Sequence, residues 1–113
     1  MDVNKTDAKK EFSATLKTVA TITLSGELTA ASAPIFKAEV EKALQQGVNG
    51  LVLFIQELDY IASAGLRVLI FAKQKMDAKA DIYVVGGQEQ VLDTLEKTGF
   101  DQGVILQDTY KPL

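Results

Sequence analysis

The chain has 113 residues, which at roughly 150 residues per domain makes one domain spanning residues 1–113. It is 47% hydrophobic and 24% charged with two prolines, which excludes disordered, collagen-like and low-complexity sequence. With no cysteine, no histidine and a net charge of −3, it lacks disulfides, thiol or imidazole catalysis, His-ligated zinc, and the basic footprint of a binder of nucleic acid or anionic membrane.

Residues 1–10 are polar and charged (Asp2, Asn4, Lys5, Asp7, Lys9, Lys10) and read as a loose lead-in or the start of an edge strand. They lack the basic start and apolar run of a signal peptide, and no apolar stretch approaches the roughly 20 residues of a membrane span. A cytoplasmic protein with no direct membrane insertion is expected. Asn4-Lys5-Thr6 fits the glycosylation pattern, which without an export signal is chance. Phe12, Ala14 and Leu16 alternate with Ser13, Thr15 and Lys17, and the alternation continues from Val19 to Leu24. This period of two predicts strands with one solvated face, joined in a hairpin near Lys17-Thr18 and ended by Ser25-Gly26-Glu27.

Thr29 to Pro34 leads into a helix, with Ser32 as N-cap and Pro34 in the first turn, where its missing N–H costs little. Phe36, Val40 and Leu44 form its apolar stripe, and Gly47 stops it. Leu51 to Ile55 is apolar without alternation, as in a strand covered on both faces. Gln56 to Tyr60 reads as a loop. A second helix runs from Ser63 to about Ala78 on Leu66, Leu69, Ile70 and Met76. Ile82 to Val85 is a further interior strand, ended by Gly86-Gly87. Gln88 to Thr98 is a short helix with Val91, Leu92 and Leu95 inward and Gly99 as its stop, and Val104 to Leu106 is a last strand. The predicted architecture is α/β, a mixed sheet of about four to five strands opened by a hairpin, with about three to four helices packed on it through parallel crossovers.

In such a sheet, ligands gather where the carboxyl ends of strands meet helix N-termini. The segment from Asp59 to Arg67 occupies that place, after the most apolar strand. Ala62, Ser63, Ala64 and Gly65 keep its backbone open to an approaching partner, and Ser63 stands at the helix start. Serine is also a common N-cap, and small residues let a helix pack closely on a sheet, so on residue types alone the structural reading outweighs a functional one.

Other motifs carry less. Gly86-Gly87 before a helix lacks the Lys-Ser/Thr ending of a phosphate loop and reads as a tight turn. Glu57 and Asp59 read as solvated loop carboxylates, and Lys73, Lys75 and Lys79 as a solvated helix face. Phe36, Phe54, Phe71 and Tyr83 sit in apolar contexts as core residues, whereas Tyr60 precedes the site and suits a surface anchor. No residue demands a cofactor or a metal. An enzyme would need a second catalytic group beside Ser63, and none is placed there.

The run Tyr60-Ile61-Ala62-Ser63-Ala64-Gly65-Leu66 resembles the signature of the STAS domain family of bacterial anti-sigma factor antagonists. Leu24-Ser25-Gly26-Glu27-Leu28 resembles the family's strand-ending Gly-Glu-Leu, and Thr98-Gly99-Phe100 its Ser/Thr-Gly-Leu before the last strand. The resemblance covers nearly the whole chain. It implies a STAS-like fold and a switch rather than an enzyme: an anti-sigma factor that is also a serine kinase binds the unphosphorylated protein, a sigma factor is released, and phosphorylation of Ser63 separates the complex until a phosphatase resets it. By the same resemblance Tyr60, Ile61, Ala62, Ser63, Ala64, Gly65 and Leu66, with Leu28 and Thr29, form the partner surface. Three positions depart from the family pattern: Ala62 and Thr29 stand where acidic residues are usual, and Phe54 where Asp or Asn is common. STAS-like domains also serve as accessory subunits of transporters. That is the alternative reading, in which the same surface docks without phosphorylation.

Overall fold

The computed structural model describes residues 2–11, 17–76 and 80–111, with side chains from Val19 onward. Five strands form one sheet in chain order: β1 (Asp2–Glu11), β2 (Lys17–Leu28), β3 (Gly50–Ile61), β4 (Asp81–Val85) and β5 (Ile105–Gln107). β1 pairs antiparallel with β2, and every later neighbour is parallel. The crossovers are helices α1 (Ala33–Gln45), α2 (Ser63–Lys75) and α3 (Glu89–Lys97), with a 3-10 turn (Phe100–Gly103) before β5. The mixed sheet opened by a hairpin and covered by helices is the architecture expected from the sequence.

Sequential strand order with crossovers of one hand keeps all helices on one side of the sheet. The buried residues of α1, α2 and α3 accordingly share one cluster with Ile22, Leu24, Leu51, Leu53, Ile55 and Val84. Phe36, Leu53 and Leu95 are at most 1% exposed there, and full burial of side chains of this size contributes about 1.5–3 kcal/mol each. The opposite face carries a smaller cluster of Val19, Val52, Tyr83 and Val85, on which Phe54, Ile105 and Tyr110 pack. Tyr110 meets Tyr83 edge-on at 5.1 Å, which pins the C-terminal segment to this face. β3 thus feeds both clusters, and its first half is apolar at every position.

Several boundaries move. Residues 2–11 take the strand option rather than the lead-in. Lys17 and Thr18 are not the hairpin turn; they pair with Glu11 and Lys10, and the predicted strand residues 12–16 lie outside the described residues. Ser25-Gly26-Glu27 does not end β2, which continues to Leu28.

Gln56 to Tyr60 is not a loop but the second half of β3, paired to Ser25–Leu28 across two register shifts. Each bulge inserts a residue, so the inward positions run Ile55, Leu58, Ile61, three apart instead of two. That spacing hides the strand from a search for alternation. α2 ends at Lys75, ahead of the expected Ala78, and residues 77–79 lie outside the described residues. Phe71 is half-exposed rather than core, with the ammonium of Lys37 4.8 Å above its ring. β5 starts one residue later than predicted and is three residues long. Among the described residues no helix is long and apolar enough to cross a membrane.

Gly86 and Gly87 form the turn between β4 and α3. Their φ values of 79° and 115° suit glycine, and a Cβ on Gly86 would fall 2.5 Å from Gln56 Cγ.

Candidate functional site

The ends of β2 and β3 lie side by side, with Leu28 opposite Ile61. The Ala62 N–H donates to the Leu28 carbonyl at 2.8 Å and carries this pairing one residue further. The chain then turns into α2. Ala62 has the extended backbone of an N-cap (φ −86°, ψ 167°), and its carbonyl accepts from Gly65 and Leu66 at 2.9 and 3.2 Å. Ser63 is therefore the first helical residue and not the cap. A methyl group occupies the cap position and cannot accept from the first turn, so α2 starts without side-chain capping. The Ser63 side chain is exposed and, among the described residues, its hydroxyl makes no intramolecular hydrogen bond.

The predicted site residues separate into a surface and its support. Tyr60 is 50% exposed. Ser63 is exposed, and Ala62, Ala64, Leu66 and Thr29 are half-buried. Leu28 (0% exposed) and Ile61 (6%) belong to the core and are corrected from surface contacts to supports. Gly65 is buried as well, and a Cβ on it would fall 2.6 Å from Leu28 Cγ and 3.1 Å from Ile61 Cγ1. The small residue at this position lets α2 descend onto the strand ends.

A second turn borders the first. Ser32 sits at the N-cap position of α1 but does not cap it. Its buried Oγ accepts from the Thr29 N–H at 2.8 Å and donates to the Glu27 carbonyl at 3.1 Å. The hydroxyl ties the end of β2 to the start of α1 and so fixes Thr29 beside the α2 entrance. On the other flank Gln88 Nε2 donates to the Asp59 carboxylate at 2.9 Å, and Gln90 Nε2 donates to the Asp59 carbonyl at 3.2 Å. Asp59 is thus a strand residue held to α3. The sequence points to Ser32 as a helix cap, since a serine ahead of a helix serves a cap or a turn with the same hydroxyl, and it carries no sign of Gln88, because Gln88 and Asp59 are far apart in the chain. The first turn of α2 has no acidic residue, so the positive end of its dipole meets solvent unopposed at Ser63.

The geometry is that of an exposed hydroxyl on a small-residue helix start, set over an apolar support. Residues 13–112 match the model of the STAS domain. The chain belongs to the STAS domain family. BtrV of Bordetella bronchiseptica, a candidate anti-sigma factor antagonist, is 35% identical over 78 residues, which cover 68% of this chain and 67% of BtrV. An anti-sigma factor antagonist from Mycobacterium paratuberculosis has the same fold, with a TM-score of 0.74 at 20% identity over 93% of this chain and 87% of that one. The anti-sigma factor antagonist SpoIIAA in its unphosphorylated form superposes with a TM-score of 0.67 at 19% identity, over 92% of this chain and 90% of its own. The Bacillus SpoIIAA in its phosphorylated form gives 0.62 at 17% identity, over 88% and 90%. In this STAS domain the segment from Tyr60 to Leu66 is the junction of β3 and α2, and Ser63 is exposed on it.

Proposed function

We propose that the protein is an anti-sigma factor antagonist, switched off by phosphorylation at Ser63. The unphosphorylated form binds an anti-sigma factor that is also a serine kinase, and the sigma factor is released. The kinase then transfers the γ-phosphoryl group of ATP to Ser63 Oγ, the hydroxyl proton leaves, ADP is formed, and the complex separates. A phosphatase restores the hydroxyl. The protein itself acts by binding and not by catalysis.

The observation that carries this reading is the placement of Ser63: first residue of α2, exposed, its hydroxyl without an intramolecular partner among the described residues. A phosphate there meets the free N–H groups of a helix start, so the fold tolerates it. The same group adds roughly −1.5 to −2 charge to a surface of Tyr60, Ala62, Ala64 and Leu66. An interface built on those side chains would have to desolvate the charge, which weakens binding.

The test is incubation with the cognate kinase and ATP followed by intact-mass spectrometry. One added phosphate on Ser63 is expected, and none on Ser63→Ala. Ser63→Ala is expected to bind the kinase as wild type does, and Ser63→Asp to bind it more weakly. No incorporation with an active partner kinase, or equal binding by both variants, overturns the proposal.

A second reading draws on Ala62, which leaves the serine without an adjoining carboxylate. In it the same surface docks onto a transporter subunit and Ser63 is a contact residue. Co-purification separates the two: a small ATP-binding kinase supports the first, transporter subunits the second.

A further inference from the structure

Arg67 stands four residues after Ser63 on α2, and both side chains are exposed. At this spacing helical side chains share a face, with Cβ atoms about 5–6 Å apart. The positions three and four residues to either side of Arg67 are Ser63, Ala64, Ile70 and Phe71, and none is acidic. Among the described residues Arg67 forms no ion pair. One oxygen of the Asp59 carboxylate accepts from Gln88 on the α3 side, and Ala62 brings no charge of its own. Glu27, paired with Tyr60 at the end of β2, and Glu57, paired with Ser25, are acids on the strands bordering the site, and among the described residues neither forms an ion pair with Arg67. A free guanidinium therefore lies within one turn of the hydroxyl.

We infer that Arg67 is a positioning residue for a phosphoryl group on Ser63, folding back one helical turn to hold it. This rests on the reading of Ser63 as the modified residue. Phosphoserine presents acceptor oxygens that match the guanidinium fork, so two parallel charge-assisted hydrogen bonds form. An anion on the N-terminal side of a cation at this spacing is the favourable order, in line with the helix dipole. The pair has a consequence for docking. In the unphosphorylated protein Arg67 is available to a partner carboxylate. Phosphorylation withdraws that cation into the ion pair as it adds the phosphate, so the partner loses the Arg67 contact and meets a new charge in one event.

The experiment uses the full chain with phosphoserine installed at position 63 by genetic code expansion, and follows its second ionisation by phosphorus NMR. Pairing stabilises the dianion, so the ionisation falls below the ordinary value of about 6. Arg67→Gln is expected to raise the proton affinity of the phosphate by about two- to fivefold over wild type. Arg67→Lys is expected to recover part of that difference, which a purely structural role would not produce. Unphosphorylated Arg67→Gln is expected to melt with wild type. Superimposable titrations of wild type and Arg67→Gln overturn the inference. Because no kinase is used, this result is independent of the phosphorylation assay above: a silent kinase leaves the clamp measurable, and a working kinase does not guarantee it.

Discussion

Gly65 of α2 lies so close to Leu28 of β2 that a Cβ on the glycine would fall 2.6 Å from both Cγ and Cδ2 of the leucine. The contact sets the height of the helix start above the sheet, and with it the position of Ser63. Leu28 has no exposed surface into which to retreat. Gly65→Ala is therefore expected to destabilise the fold by about 1–3 kcal/mol through overpacking. Urea unfolding measures this as a lower midpoint at unchanged slope. The double variant Gly65→Ala with Leu28→Ala is expected to lose less than the sum of the two single variants, because the smaller side chain makes room for the new methyl.

Ala62 occupies an N-cap whose backbone is already in the conformation that a capping side chain uses. Ala62→Asp supplies an acceptor to the first turn of α2 and a negative charge at the positive end of its dipole. It is expected to stabilise the protein by about 0.5–2 kcal/mol, seen as a higher unfolding midpoint. A midpoint at or below that of wild type contradicts the cap geometry.

Ser32 is a buried hydroxyl that serves a turn and not a helix end. Ser32→Ala leaves the Thr29 N–H without its side-chain acceptor, at a cost of about 1–3 kcal/mol. Amide hydrogen exchange locates the damage. The Thr29 amide is expected to speed up more than the interior of α1. Fraying confined to the first turn of α1 would instead mark Ser32 as an ordinary cap.

Much of this molecule is written locally. The apolar stripe of Phe36 and Val40, the unbroken run from Leu51 to Ile55, and the small residues before Leu66 each report their element through short-range pattern, because periodicity follows directly from helix and strand geometry. The second half of β3 escaped for a physical reason. Its two bulges put Ile55, Leu58 and Ile61 three residues apart, a spacing that matches neither a regular strand nor a loop and arises only from pairing with β2. A search for apolar residues at intervals of three after a buried strand would have found it.

The candidate site divides in the same way. The amino-acid order alone determined that a serine stands among alanines and a glycine at the start of the second helix, since capping preference, residue size and helical period are properties of neighbours in the chain. Tertiary structure decided which of those residues face solvent. It sent Leu28 and Ile61 into the core, left Tyr60 and Ser63 outside, and moved the cap from Ser63 to Ala62. Burial depends on which strand ends lie beneath the helix, and the chain settles that only when β2 and β3 pair.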